Sequence, residues 1–289
     1  MKTGISAIVT AYDRIEQTLA TLRVLQSCTP PPDEMLVHVD ANQCECEQAI
    51  RKAFPDVHVI CSEEQVGPGG GRNQLVGAAQ FEFVASFDDD SYPIDADYFA
   101  RAGKLFKQFP EAAVICAALY HTGEAIGLDE KRAHWTADFS GGACLYRRQA
   151  FLDAGGYVPL PVAYGMEEVD LALRLHARGD RILTTPWLRV FHNNDLRHHA
   201  DPRITAGSIA NLALLAYLRY PVTLWILGMG QCANRLLWLL RHGRRRGIVK
   251  GFTMIPAHLW ANHRYRLPVS TGALRSYLAL RRTPIAQNL

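Results

Sequence analysis

Short apolar runs alternate with stretches of helical spacing through the first hundred residues, and this alternation constrains the fold more than any other feature. Ile5 to Tyr12 (Ile-Ser-Ala-Ile-Val-Thr-Ala-Tyr), Met35 to Asp40, Val57 to Cys61 and Phe81 to Ser86 read as buried strands. Between them, Ile15 to Leu25 sets Ile15, Leu19, Leu22 and Leu25 on one helical face, and Cys44 to Phe54 and Gln74 to Gln80 read as further helices. Strand and helix repeating at this spacing predict right-handed βαβ units in an α/β fold, with a mainly parallel, Rossmann-like sheet flanked by helices. Ligands of such sheets sit beyond the carboxyl ends of the strands, which is where Asp13, Asp40 and the cluster Asp88, Asp89 and Asp90 fall.

The cluster is a chemical problem for the chain. Three consecutive carboxylates directly after a buried strand repel one another unless a positive charge sits among them, which points to a bound divalent cation. Upstream, Val66-Gly67-Pro68-Gly69-Gly70-Gly71-Arg72-Asn73 is expected to be a glycine loop feeding a helix. Its N–H groups and Arg72 suit an anion, although a flexible connection explains the glycines equally well. It is not a P-loop, lacking Gly-Lys-Ser/Thr, and it does not follow the first strand as a dinucleotide fingerprint would.

Downstream, the spacing predicts a helix over Asp95 to Phe109, a strand over Val114 to Leu119 and a less regular segment from Tyr120 to Phe139. Gly141-Gly142 then precedes a short helix, Arg147 to Ala154; two glycines allow a close backbone approach or mark a bulge. Tyr164 to Leu175 reads as an amphipathic segment closed at Gly179, with Leu171 and Leu175 buried and Asp170 paired to Arg174 at i, i+4. Glu167 and Glu168 fall in its first turn. There they complement the helix dipole or, near a carboxylate-bound metal, act as a general base.

Taken in order, Ile-Val-Thr-Ala-Tyr-Asp-Arg in the first strand, Asp40, the Gly67 to Asn73 stretch, Asp-Asp-Asp-Ser-Tyr-Pro, Gly-Gly before a short helix, Glu-Glu-Val-Asp-Leu-Ala-Leu-Arg and Phe-His-Asn resemble the family two inverting glycosyltransferases over residues 4 to 195. The resemblance implies a glycosyltransferase A (GT-A) fold and a nucleotide-sugar donor. By position it implies donor-nucleotide contacts from Thr10, Tyr12, Asp13, Asp40, Arg72 and Asp88, with Arg72 near the diphosphate. It implies a divalent cation, Mn²⁺ or Mg²⁺, on Asp90, Asp88 and His192, and a sugar and acceptor floor of Gly141 and Gly142 joined by Asp89 and Glu167. Asp89 is expected to point away from the metal. Glu168 matches the catalytic base, with Glu167 as the alternate because many members carry aspartate there.

Charge divides the chain differently. From Pro202 to Leu289 there are thirteen Lys or Arg and no Asp or Glu, so a chain of net charge +3 has an excess of ten negative charges in its first 201 residues. Two uncharged runs, Ile204 to Leu218 and Tyr220 to Asn234, fall short of a membrane span and suit helices lying in an interface or packed on the catalytic domain. Residues 1–200 are thus expected to form a catalytic domain, and residues 201–289 a helical, basic region that associates with an anionic membrane surface; packing or homo-oligomerisation is the rival use. No nucleic-acid reader motif accompanies the basic residues. Seven cysteines without paired metal-ligand spacing fit reduced thiols, and Met1-Lys2 followed by a strand lacks a signal-peptide succession, so the expected location is the cytoplasmic face of the plasma membrane.

The function expected is inverting sugar transfer from a nucleotide diphosphate donor to a cell-envelope polysaccharide, glycolipid or lipid-linked glycan. The rivals are a sugar-phosphate nucleotidyltransferase, whose glycine-rich basic signature after the first strand is missing here, and a non-catalytic membrane-bound sugar-nucleotide sensor.

Overall fold

The computed structural model describes residues 2–160, 162, 166–194 and 201–289. Tyr164 and Gly165 of the acidic helical segment, and Asp195 at the end of the family resemblance, lie outside the described residues. The elements run β1 (Lys2–Ala11), α1 (Ile15–Ser27), β2 (Glu34–Val39), α2 (Cys44–Ala53), β3 (His58–Cys61), α3 (Gly67–Ala78), β4 (Phe81–Asp88), β5 (Ser91–Pro93), α4 (Tyr98–Gln108), β6 (Ala112–His121), β7 (Arg132–Thr136), β8 (Ala143–Arg147), α5 (Arg148–Asp153), α6 (Glu167–Arg178), β9 (Arg181–His192), α7 (Pro202–Arg219), α8 (Trp225–Arg241), α9 (Ile248–Asn262), α10 (Thr271–Arg282) and β10 (Ile285–Asn288).

The expected α/β architecture is what forms. The strands make one sheet in the order β10-β7-β9-β6-β8-β4-β1-β2-β3, with β5 paired to β9. It is parallel through β4-β1-β2-β3 and again between β6 and β9; β8 enters antiparallel between β4 and β6. Period-two alternation feeds a core on each face. Ala7, Val9, Val37, Ala85 and Phe87 point to α1, α2 and α4, while Ile8, Leu36, Val84 and Tyr146 point to α3, α5, α6, α7 and α10.

The segment from Tyr120 to Phe139, expected to be irregular, contains β7. Its strand partners are β9 and, from the far end of the chain, β10, so its regularity is supplied by distant pairing rather than by local pattern. The two uncharged runs also part company. The first is α7, almost wholly buried in the core beneath α6, whereas the second starts after Pro221 and becomes α8, much of which faces solvent.

Between α6 and α7 lies a buried ion cluster. Asp170 Oδ2 accepts from Arg174 Nη2 at 2.7 Å, the i, i+4 pair expected from sequence, and Asp170 Oδ1 also accepts from Arg219 Nε at 2.5 Å. Arg219 Nη1 donates on to the Tyr265 carbonyl at 2.6 Å, so the first turns of α6 are tied through α7 to the chain after α9. Helix α6 closes at Gly179, whose φ of 92° is the left-handed stop that a residue without Cβ adopts freely.

Candidate active site

The glycine stretch is helix rather than loop: Gly67 to Gly71 form the first turns of α3, with Pro68 in the opening turn. Asp40, at the end of β2, makes this possible. Its Oδ1 accepts from Val66 N at 2.9 Å and its Oδ2 from Gly67 N at 2.9 Å, so a buried carboxylate holds the helix N-terminus. The glycines are needed for approach. A Cβ on Gly70 would meet Val66 at 2.7 Å, one on Gly71 would meet His38 Nδ1 at 2.6 Å, and one on Gly69 would overlap the Glu167 carboxylate. An anion site at this helix end is thereby pre-empted, because Asp40 already takes the N–H groups.

Arg72, expected near the diphosphate, is buried and spent inside the protein. Its Nη2 pairs with Asp88 Oδ1 and its Nε donates to Ser86 Oγ at 3.0 Å. It acts as the counter-ion of Asp88.

The acid cluster sits where β4, β5 and β9 meet. Ser91 pairs with His192 across β5 and β9, and Asn193 N donates to the Asp90 carbonyl at 2.8 Å, which brings His192 beside Asp90. Arg14, one residue past Asp13, forms a fork on Asp89 and reaches Asp90 Oδ2 at 2.5 Å. Asp89 is therefore turned to Arg14. With both its oxygens on Arg14 and Oδ2 also near Tyr12 N at 3.4 Å, it stands on the side of β1 rather than with the Gly141-Gly142 floor assigned to it from sequence. Burial, opposed by Arg14 and reinforced by Asp90 and Asp88, raises the Asp89 carboxyl above the usual range. Burial would raise Asp90 as well, but His192 and Arg14 outweigh it and leave its carboxyl below its ordinary value.

Internal cations thus meet much of the cluster's charge, and the case for a metal narrows to specific atoms. Asp90 Oδ1 is buried with no donor aligned on it, although His192 Nε2 stands 2.9 Å away at ion-pair range; Asp88 Oδ2 is 4.0 Å from the same nitrogen. Among the described residues no three such side chains close into a metal cage. Two carboxylates and a histidine form an open half-site, which fits a hard cation that completes its shell with phosphate oxygens and water.

Ser91 and the two glutamates link the acids to the glycine pair. Ser91 Oγ accepts from Asp88 N at 2.8 Å and donates to the Gly142 carbonyl at 2.7 Å, a buried bridge with no signature in the sequence. A Cβ on Gly142 would collide with Asp88 Oδ2, and one on Gly141 would meet Glu168 Oε1 at 3.0 Å and Arg72 Cζ at 3.2 Å. The pair is therefore a close-approach platform with Asp88 on one glycine and Glu168 on the other.

Glu168 is half-buried and accepts weakly from Gly141 N at 3.3 Å. Glu167 is buried, accepts from Gly69 N at 3.2 Å, and has its carboxyl raised well above the ordinary value by burial and by Glu168. One glutamate faces the platform and its neighbour braces α3.

A cleft of 770 Å³ opens over the cluster, bordered by Tyr12, Asp13, Arg14, Asp90, Thr122 and Asn193. A smaller hollow of 270 Å³, bordered by Thr10, His38, Asp40 and Asp88, shares Tyr12 and Arg14 with it. Asp13, at φ 54°, turns the chain at the rim in the left-handed region that aspartate tolerates better than most residues. Arg14, like Ser91, is a residue that sequence reading missed; its only signal is its place beside Asp13, at the end of the strand next to the one that carries the three carboxylates.

Residues 6–137 match the family model for Glycosyl transferase family 2. A curated relative, the uncharacterised protein y4gI of Sinorhizobium fredii, is 24% identical over 230 residues, covering 68% of this chain and 25% of that protein, so the chain spans about a quarter of the relative's length. Among solved structures, a mannosyltransferase from Pyrobaculum calidifontis in complex with GDP-Man and Mn²⁺ superposes with a TM-score of 0.60 at 16% identity, covering 96% of this chain and 79% of that one. TarS of S. aureus, in complex with UDP-GlcNAc, gives 0.55 at 15% identity over 91% of this chain and 93% of that one. GalNAc-T7 with UDP, GalNAc and Mn²⁺ gives 0.59 at 12% identity over 76% and 49%. These likenesses carry the fold. Together they show that this chain is built on a GT-A fold, within which residues 6–137 match the model for glycosyl transferase family 2.

Proposed function

We propose that this chain is an inverting glycosyltransferase that moves a sugar from a nucleoside diphosphate donor to a hydroxyl of a cell-envelope polysaccharide, glycolipid or lipid-linked glycan. The observation that carries the reading is the division of acids about Gly141-Gly142. Asp88, with Asp90 and His192 beyond it, lies against one glycine, and Glu168 lies against the other. Fold relatives solved with GDP-Man, UDP-GlcNAc or UDP support the donor class.

In this reading Thr10, Tyr12, Asp13 and Asp40 border the nucleotide, and Arg14 and Arg72 hold the acids in place. A divalent cation held by Asp90, Asp88 and His192 would neutralise the diphosphate as it leaves. Glu168 accepts the proton of the acceptor hydroxyl at a carboxylate oxygen. That hydroxyl oxygen bonds to the anomeric carbon from the face opposite the diphosphate, the bond to the diphosphate breaks, and the configuration inverts. Gly141 and Gly142 let sugar and acceptor approach the backbone closely.

A thermal-shift screen of nucleotide sugars with Mn²⁺ and Mg²⁺ tests the reading, since a ligand at a hundred times its Kd stabilises the fold by about 2.7 kcal/mol. A donor should raise Tm in a metal-dependent way, and Asp90→Asn should remove the metal-dependent part. Equal shifts with and without metal in both proteins would overturn the cation assignment. Donor binding with no transferred sugar in any acceptor assay would instead support a sugar-nucleotide sensor.

A further inference from the structure

Eleven of the seventeen exposed large hydrophobic side chains among the described residues lie between Val222 and Leu267. They are ordered rather than scattered. On α8, Ile226, Met229 and Leu237 fall at i, i+3 and i+11, and on α9, Val249, Phe252 and Trp260 repeat the same spacing. At 100° per residue each trio lies within an arc of about 80°, one apolar stripe per helix. The stripes are open: Ile226 is 78% exposed, Met229 71%, Val249 77% and Trp260 76%.

The opposite sides of both helices are seated on α7. Gly228 of α8 packs so tightly that a Cβ would lie 2.5 Å from Ala216, and a Cβ on Gly251 of α9 would lie 2.9 Å from the Ala206 carbonyl. His258 of α9 adds a hydrogen bond to Asn211 at 2.9 Å. With α7 buried in the core, the two stripes cannot fold inward and are held facing out.

Arg241, Arg245, Arg246 and Lys250 are exposed at the junction of the two helices, and no Asp or Glu occurs from Pro202 to Leu289. Among the described residues no helix is long and apolar enough to cross a membrane. Helices of 17 and 15 residues with an apolar stripe and a basic junction suit lying along an interface. A second copy meeting the same face would set one carboxylate-free basic surface against another, so charge favours an anionic partner.

We propose that the outer stripes of α8 and α9, with Arg245, Arg246 and Lys250, are a docking surface for an anionic lipid bilayer, in the cell the cytoplasmic leaflet of the plasma membrane. The stripes enter the boundary between headgroups and acyl chains, and the basic junction lies among the headgroups. This does not depend on the transfer chemistry. Docking would hold the cleft near acceptors carried on lipid.

The full chain should sediment with phosphatidylcholine vesicles containing phosphatidylglycerol, remain in solution with phosphatidylcholine alone, and lose binding as salt rises. Arg245→Gln with Arg246→Gln should weaken partitioning about fivefold per arginine. Ile226→Asp with Val249→Asp should weaken it at least ~10-fold. Circular dichroism checks that each variant is folded, and the arginine pair keeps the test decisive should the aspartate pair unfold. Undiminished vesicle binding by the folded variants would overturn the proposal. So would tighter binding to tRNA than to anionic vesicles, or a dimer that the aspartate variants dissolve in a chain that ignores vesicles.

Discussion

In the cluster after β4, each acid has a cation from the same fold beside it: Arg72 on Asp88, Arg14 on Asp89, Arg14 and His192 on Asp90. In the helices after Pro202 the proportion is reversed, with thirteen cations and no acid in the segment; among the described residues, Arg219 pairs with Asp170 and Arg281 with Asp138 of the rest of the chain. The two regions make different demands on a partner. Where charge is balanced internally, what remains is narrow, one buried oxygen on Asp90 and a half-site around it, and binding there is set by geometry. Where charge is left unbalanced on an outer surface, binding is broad, additive over residues and weakened by salt.

The largest test of this contrast falls on the platform between the acids. Glu168→Gln should lower sugar transfer by roughly 10²- to 10⁴-fold, the range of a general base, while leaving the donor-induced Tm shift intact. Glu167→Gln should lose much less, because its carboxyl is already held toward the neutral form and serves Gly69. The reverse ranking in a transfer assay would move the base to Glu167 and make Glu168 the brace.

Next in size is the junction of the two regions, where the described residues include a buried pair and an exposed pair. Asp170→Ala strands Arg174 and Arg219 in the core and should reduce unfolding free energy by about 3–5 kcal/mol. Arg281→Ala removes a pair whose members are each nearly half exposed, and should change it by less than about 1 kcal/mol. Urea unfolding of both variants measures the difference. Similar losses would mean that the helices after Pro202 are not anchored through Asp170.

The features legible in the sequence share a physical reason. The strands β1 to β4, the helix α6 with its Asp170–Arg174 pair and Gly179 stop, and the acids at the strand ends are written in local periodicity or in adjacent residues. What was not legible depends on contacts between distant residues. Four glycines and a proline read as loop, yet α3 begins there because Asp40, twenty-seven residues earlier, holds its first N–H groups and because Glu167 and His38 leave no room for a Cβ. Strand β7 lacks its own pattern and takes its order from β9 and β10. In the site itself, three carboxylates suggested a cation correctly in kind but not in number. Arg14 and Arg72 supply two of the positive charges, and the metal reading rests on the oxygens they leave, Asp90 Oδ1 and Asp88 Oδ2, beside His192.

The smallest effect concerns Glu167, and it isolates how the acidic region stores charge. Burial first, and the neighbouring Glu168 second, raise this carboxyl well above its ordinary value, so the folded protein retains a proton that the unfolded chain releases near pH 4.3. For an acid raised in this way, the folded state binds more protons between the two pKa values. Stability from this group is therefore complete below the unfolded value and falls as pH rises, by up to about 1.4 kcal/mol per unit, until the folded pKa is passed. Glu167→Gln keeps an oxygen for Gly69 N and removes the titration. The difference between wild type and variant in unfolding free energy should then slope across that window and be flat below it. Parallel curves from pH 4 to 8 would mean that Glu167 is ionised in the fold, with Arg72 close enough to offset its burial, and that the acidic region balances one more charge internally than its hydrogen bonds suggest.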